Sequence, residues 1–176
     1  MFIIEGADNL GKTTAAKKIV KICKEKLGFP TSYFHMGRPN ERFNFSTHYR
    51  DHMKIFSVQD RFHLGAWVYH PPGTMSLDTL KWVEAELAIR ASYTVIFVPA
   101  DDNAYLERLQ NSKRDEMLSP EEIVESGIKF RNLIPMVQHD AVFFFNGTYP
   151  SDELLEKWAS EWVARVKRFE RLGFTC

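Results

Sequence analysis

Cysteine is almost missing from this chain: Cys23 and Cys176 are the only two in 176 residues. Two are too few for a disulfide framework, so a packed core must hold the fold, and a reducing compartment suits it. Cys23 shares helical spacing with Ile19 and Leu27 and reads as a small hydrophobe. Surplus charge is missing too. Lys plus Arg and Asp plus Glu both total 23, a formal net charge of +0, which removes the pull toward nucleic acid or anionic membranes that a basic protein feels. No apolar run nears the ~20 residues of a membrane span. Phe2-Ile3-Ile4 already reads as a strand, which leaves no room for a signal peptide. Repeats and low-complexity segments are absent. The expectation is one soluble, cytoplasmic domain over 1–176, long enough to bury about two thirds of its unfolded surface.

What is present is concentrated in Gly6 to Thr14, Gly-Ala-Asp-Asn-Leu-Gly-Lys-Thr-Thr, which fits G-x-x-x-x-G-K-[ST], the phosphate-binding loop of nucleoside triphosphate enzymes. Average composition yields this pattern in under about 1% of chains of this length, and here an apolar strand precedes it and a helical pattern follows. Its glycines let successive N–H groups form an anion nest, and the next helix aims its positive end at the same place. Asn9, Gly11, Lys12, Thr13 and Thr14 are therefore the candidate triphosphate-binding residues. Lys12 is placed to reach the β- and γ-phosphates, and Thr13 to ligate magnesium.

Ala16, Ile19, Val20, Cys23 and Leu27 predict a helix from Thr13 to about Leu27, ended by Gly28 and Pro30. Thr31 to Met36 reads as a second strand before the turn Gly37-Arg38-Pro39, and Asn40 to Met53 as a loop with a short helix. Ile55 to Gln59 is a weak strand ending at Asp60-Arg61; Leu64 to Tyr69 is apolar up to Pro71. Ser76 caps a helix to Arg90, and Tyr93 to Val98 is the strongest strand. Asp101-Asp102 opens a helix to about Leu109, Ser119-Pro120 opens another, and Ala141 to Phe145 is a last strand ended by Asn146-Gly147. Leu155, Trp158, Trp162, Val166 and Phe169 mark a closing helix, with the tryptophans in the core. Strands alternating with helices give an α/β, three-layer domain with a mostly parallel, about five-stranded sheet. Ligands in such sheets collect at the strands' carboxyl ends, which gathers the Gly6 loop, the Arg38 turn, Asp60-Arg61 and the Asn146 turn into one crevice.

Phosphoryl transfer needs more than a phosphate loop: a carboxylate near magnesium, cations for the moving charge and a positioned acceptor. Asp60, at a strand end, is a candidate to hold a magnesium-bound water or orient the acceptor, with an ordinary helix N-cap as the plain alternative. Arg61 suits an acceptor phosphate, or else a surface ion pair. His63 either touches the acceptor or closes the site.

The segment Asp60-Arg61-Phe62-His63-Leu64-Gly65-Ala66-Trp67-Val68-Tyr69-His70 resembles the thymidylate kinase pattern D-R-Y-x-x-S-x-x-A-Y-Q. Phe2 to Thr14 is similar to that family's F-I-x-x-E-G-x-D-x-x-G-K-[ST]-T, and the order of elements matches across nearly the whole chain. The resemblance implies a P-loop kinase fold, ATP and magnesium as cofactors, a deoxynucleotide acceptor and a homodimer. It implies that Asp8 faces the acceptor sugar or the metal, that Arg38 and Arg61 hold the acceptor phosphate, and that Tyr69 disfavours a 2′-hydroxyl. It also implies that Arg108 packs near the adenine, and that Lys113 and Arg114, in a mobile lid over about 111–120, fold onto the donor phosphates. A merely solvated charged loop is the plain alternative for that pair. Lys12, Asp60, Arg61 and Arg114 would be the catalytic group, with Thr13 and Asp60 at the metal.

Three positions depart from the pattern. Gly65 stands for the family's Ser, His70 for its base-reading Gln, and the stretch 38–54 is much shorter than the family's, leaving Phe43, Phe45, Tyr49 and Phe56 as alternative partners for the acceptor base. The chain thus looks like a compact, divergent member of the kind phages encode. The expected reaction is ATP- and magnesium-dependent phosphoryl transfer to a deoxynucleoside monophosphate. A kinase of a nucleoside or of a modified base in DNA is the near alternative, though balanced charge disfavours nucleic acid. A nucleotide-dependent switch or structural ATPase is the alternative from another class; as a GTPase it would need the N-K-x-D motif, which this sequence lacks.

Overall fold

A computed structural model describes residues 1–37, 44–53, 56–70, 74–112, 118–137, 139–146 and 149–173. Arg38, Phe43, Lys113, Arg114 and Cys176, together with half of the expected lid, lie outside the described residues.

The strands are β1 (Phe2–Gly6), β2 (Ser32–His35), β3 (Ser57–Asp60), β4 (Tyr93–Pro99) and β5 (Ala141–Asn146). All pair in parallel, in the order β2-β3-β1-β4-β5. The helices are α1 (Lys12–Glu25), α2 (Phe45–His52), α3 (His63–Tyr69), α4 (Leu77–Ala88), α5 (Asp102–Gln110), α6 (Pro120–Asn132) and α7 (Asp152–Arg171), with a 3-10 turn at Ile134–Met136. α1 and α7 pack together on one side, while α3, α4 and α6 pack among themselves and against β1 and β4 on the other. This is the three-layer α/β architecture that alternating strands and helices predict. No described helix is long and apolar enough to cross a membrane.

β1 and β4 are central and buried along their whole length, as unbroken β-forming runs require when both faces are covered. Trp162 is fully buried and Trp158 nearly so. Trp162 meets Phe2 and Phe29 edge-on at 5.7 and 5.4 Å, and Trp158 meets Phe144 at 5.3 Å, so both belong to the core beneath α7. One expectation shifts: the third strand is Ser57–Asp60 rather than Ile55–Gln59. The apolar stretch before Pro71 is the helix α3. α3 escapes a period search because it is covered on more than one side: it packs on β1, α4 and α6 while also bordering a cleft.

The strand-to-loop transition at Gly6 fixes where the site sits. Gly6 has φ +124, and a Cβ there would lie 2.0 Å from the Phe97 carbonyl oxygen. The next amide, Ala7, donates to that same oxygen at 3.2 Å. Only glycine lets β1 turn so close to β4. Gly6→Ala is therefore expected to destabilise the fold by at least ~3 kcal/mol in urea unfolding, since backbone overlap adds to dihedral strain. Gly28→Ala, at φ +59 with nothing within 4 Å, should cost only about 1 kcal/mol.

Candidate active site

At the carboxyl ends of the strands, α1 begins at Lys12 after Gly11, whose φ of 84 is left-handed and which offers no side-chain cap. Asn44, Ser76, Asp101, Ser119 and Ser151 each cap the helix that follows them, and Ser119 with Glu122 closes a full capping box. α3 is capped from a distance instead. The Glu5 carboxylate accepts the amides of Phe62 at 2.8 Å, Leu64 at 2.9 Å and Gly65 at 3.1 Å. Among the described residues, α1 alone starts without a carboxylate, amide or hydroxyl cap, and such an end is a ready anion site.

Lys12 is 5% exposed and donates to the Ala7 carbonyl at 2.6 Å and to Asp8 Oδ1 at 3.1 Å. Burial holds its pKa below the usual lysine value, with Asp8 opposing. Asp8 Oδ1 also accepts from Arg61 Nη2 at 2.6 Å, so one carboxylate bridges two cations. Arg61 takes φ 71, a left-handed conformation uncommon outside glycine, just after the last residue of β3. Its amide donates to the Ile4 carbonyl at 2.9 Å, and its guanidinium lies 5.8 Å from the Tyr69 ring centroid. The strained backbone thus turns the side chain back toward the phosphate loop.

Asp60 is fully buried. Its Oδ2 accepts from Thr13 Oγ1 at 2.6 Å, from the Tyr33 hydroxyl at 2.9 Å and from His35 Nδ1 at 2.9 Å. Burial raises the pKa of this carboxyl, but the hydrogen bonds from Thr13, His35 and Tyr33 outweigh it and hold the group below the usual carboxylate range. It caps no helix, because Phe62 is the N-cap residue of α3. Its other oxygen, Oδ1, is buried without a hydrogen-bond partner among the described residues. A hydroxyl that donates to a carboxylate keeps its lone pairs, so Thr13 Oγ1 and Asp60 together fit a hard divalent cation such as magnesium.

Beside this centre lies a cleft of about 240 Å³, lined by Asp8, His35, Arg61, Tyr69 and His70 among others. Tyr69 is fixed by its hydroxyl's contact with Ser126 Oγ at 3.1 Å. Of the aromatics expected near an acceptor base, Tyr49 borders the cleft, whereas Phe45 packs against Tyr49 and the edge of His70. Phe56 turns away onto Phe29 at 5.4 Å. Gly65 has a local cause: a Cβ there would meet Glu5 Oε2 at 3.0 Å, so the helix-capping carboxylate takes the space a serine side chain would use. Arg108 is exposed, donates to the Asn9 carbonyl at 3.3 Å and borders a second hollow with Asn9, Leu109 and Ser112. Thr14 is exposed on the first turn of α1. β5 ends at Asn146, paired with Pro99, and Gly147 lies outside the described residues.

No protein-family model matches this sequence, and no curated protein matches it. A similar solved structure is that of the YorR protein of Bacillus subtilis in complex with phosphorylated GDP. It superposes with a TM-score of 0.68 at 18% identity over 99% of each chain. The likeness establishes the shared fold.

Sequence reasoning overlooked Tyr33 and His35 as partners of Asp60 and Glu5 as the cap of α3. The first two carry a signal, polar-tipped side chains two apart at a strand end and so on one face. Glu5 carries another, an acid inside an otherwise apolar strand.

Burial drives the Glu5 carboxyl from its ordinary 4.5 up to about 7, more than the amides of Gly65, Leu64 and Phe62 and the charge of Lys12 can offset. Between these two values the folded state holds more protons than the unfolded one, so this group's contribution to stability falls as pH rises across that window, by on the order of 3 kcal/mol. Thermal unfolding should show wild type losing more stability from pH 5 to pH 8 than Glu5→Gln, which cannot ionise. Parallel pH profiles for the two proteins would contradict this reading.

Proposed function

We propose that the protein is an ATP- and magnesium-dependent kinase whose acceptor is a deoxynucleoside monophosphate. The observation that carries the reading is the row Lys12–Asp8–Arg61, with contacts of 3.1 and 2.6 Å on the one carboxylate. It sets a cation at the uncapped start of α1 beside a second cation that borders the cleft. Phosphoryl transfer between two phosphates needs such a pair of subsites within reach of each other, because catalysis is mostly positioning and charge stabilisation.

In this reading the loop and Lys12 bind the donor phosphates, and Arg61 forks onto the acceptor phosphate. Tyr69 borders the acceptor sugar, and Asp8 faces that sugar or the metal. Thr13 and Asp60 hold magnesium, which supplies charge neutralisation across the phosphate oxygens when bound. Tyr33 and His35 keep Asp60 ionised and aimed. Arg38, Lys113 and Arg114 complete the reading as the sequence assigns them, closing on acceptor and donor phosphates, and Arg108 borders the donor base.

The test supplies labelled ATP, magnesium and a panel of deoxynucleosides, deoxynucleoside monophosphates and DNA. Label is expected on a monophosphate. Lys12→Ala should lower the rate by ~10² to 10³, and Arg61→Gln should raise the acceptor KM more than the ATP KM. Hydrolysis with no acceptor labelled would sink the kinase reading, and label on a nucleoside or on DNA would replace the acceptor.

A further inference from the structure

His63 does not face the cleft. α3 lines it with Gly65, Ala66 and Tyr69, whereas His63 is fully buried with Nε2 2.6 Å from Glu84 Oε1 on α4. Glu84 Oε2 in turn meets His139 Nδ1 at 2.8 Å and the His139 amide at 3.3 Å, and His139 Nε2 meets Thr94 Oγ1 on β4 at 2.6 Å. One buried carboxylate therefore ties α3 to α4, to the segment before β5 and, through Thr94, to a central strand.

The protons in this network are determined by its geometry. Burial raises the Glu84 pKa, but the contacts from His139 and His63 outweigh it and hold the carboxyl well below the usual range; burial lowers the pKa of His63. An ionised carboxylate only accepts, so both imidazoles donate to it, His63 from Nε2 and His139 from Nδ1. The same three side chains offer ligand atoms within 4.8 Å of one another, which raises the alternative of a metal centre. A cation on His63 Nε2 would force the proton to Nδ1, and Nδ1 is buried without a partner among the described residues. Metal-ligating histidines normally satisfy that second nitrogen, so the arrangement suits hydrogen bonds better than a cation.

We propose that Glu84, acting through His63, is a positioning residue for the acceptor wall of the cleft. α3 is seven residues long, too short to hold its place by its own helical stability. Glu5 fixes its first amides, and the Glu84–His63 contact fixes its rotation. A turn of roughly 20° about its axis moves a side-chain tip ~5–6 Å out by about 2 Å. Tyr69 would shift by that much against Arg61, more than the ~1 Å that already impairs a positioned substrate. The proposal rests on the cleft being the acceptor site.

His63→Leu removes the contact, while His63→Gln keeps a donor that reaches about as far as Nε2. His63→Leu is expected to raise the acceptor KM at least ~10-fold with triphosphate affinity unchanged within about twofold, and His63→Gln to restore most of the loss. Glu84→Gln, which cannot accept from both imidazoles, should raise the acceptor KM likewise and serves if His63→Leu does not fold. Amide exchange of residues 62–70 should quicken in His63→Leu and not in His63→Gln, a readout that needs no acceptor. If wild type labels no acceptor, the proposed function fails and exchange alone decides the strut. The proposal is overturned by a folded His63→Leu or Glu84→Gln protein with wild-type acceptor KM, by exchange unchanged in His63→Leu, by His63→Gln as impaired as His63→Leu, or by a stoichiometric metal lost in Glu84→Gln.

Discussion

Asp60 is a carboxylate with one crowded oxygen and one bare one, and the geometry around the phosphate loop depends on that imbalance. Oδ2 takes hydrogen bonds from the start of α1 through Thr13 and from β2 through Tyr33 and His35. A fully buried anion is costly unless donors surround it, so the three elements are held where those donors can reach. β2 is an edge strand of four residues, two of them exposed, and burial alone would anchor it weakly. Its side chains on Asp60, with Thr31 Oγ1 on the Phe56 carbonyl at 2.7 Å, do that work. Oδ1, buried without a hydrogen-bond partner among the described residues, is what remains for a cation.

The parts of the fold that were legible are those where local sequence and burial agree. Phe2 to Thr14 is a strand, loop and helix signal in one, and the Tyr93 run could only be a central strand. Ser76 and Ser119 announced their helices because a cap acts within four residues. The parts that were illegible depend on partners far away. β3 ends one residue later than its hydropathy suggests because Asp60 is polar yet fully buried, with Thr13 and Tyr33 among its donors. His63 lies three residues after Asp60, but Asp60 ends a strand and α3 begins at His63, so no common helix relates them. Its real partners, Glu84 and His139, lie 21 and 76 positions away, beyond any local period.

Three buried carboxylates, Glu5, Asp60 and Glu84, show that burial alone does not set an acid's state. All three lie at or below 1% exposure. Glu5 receives only backbone amides and rises toward neutrality, whereas Asp60 and Glu84 receive hydroxyl and imidazole donors and fall. The difference matters for α3, which Glu5 and Glu84 grip at the same end. One of the two acids exchanges its proton near neutral pH; the other holds its charge well below that.

The capping pattern links stability to function. Five helices carry their own cap residue and α3 borrows Glu5, each contact contributing about 1 kcal/mol to its helix. α1 forgoes that contribution at Gly11, where the left-handed backbone lets the loop close and a side chain would meet the Tyr149 ring at 2.9 Å. A local cap would occupy the amides that an anion needs. Leaving them uncapped costs stability in the ligand-free fold, which an anion bound there would recover, since a ligand that binds only the folded state stabilises it in proportion to the logarithm of its concentration over Kd. Gly11, which offers no side-chain cap, thus costs the empty fold a contact and leaves the first amides of α1 open to an anion, the expected sign of a residue kept for binding rather than for folding.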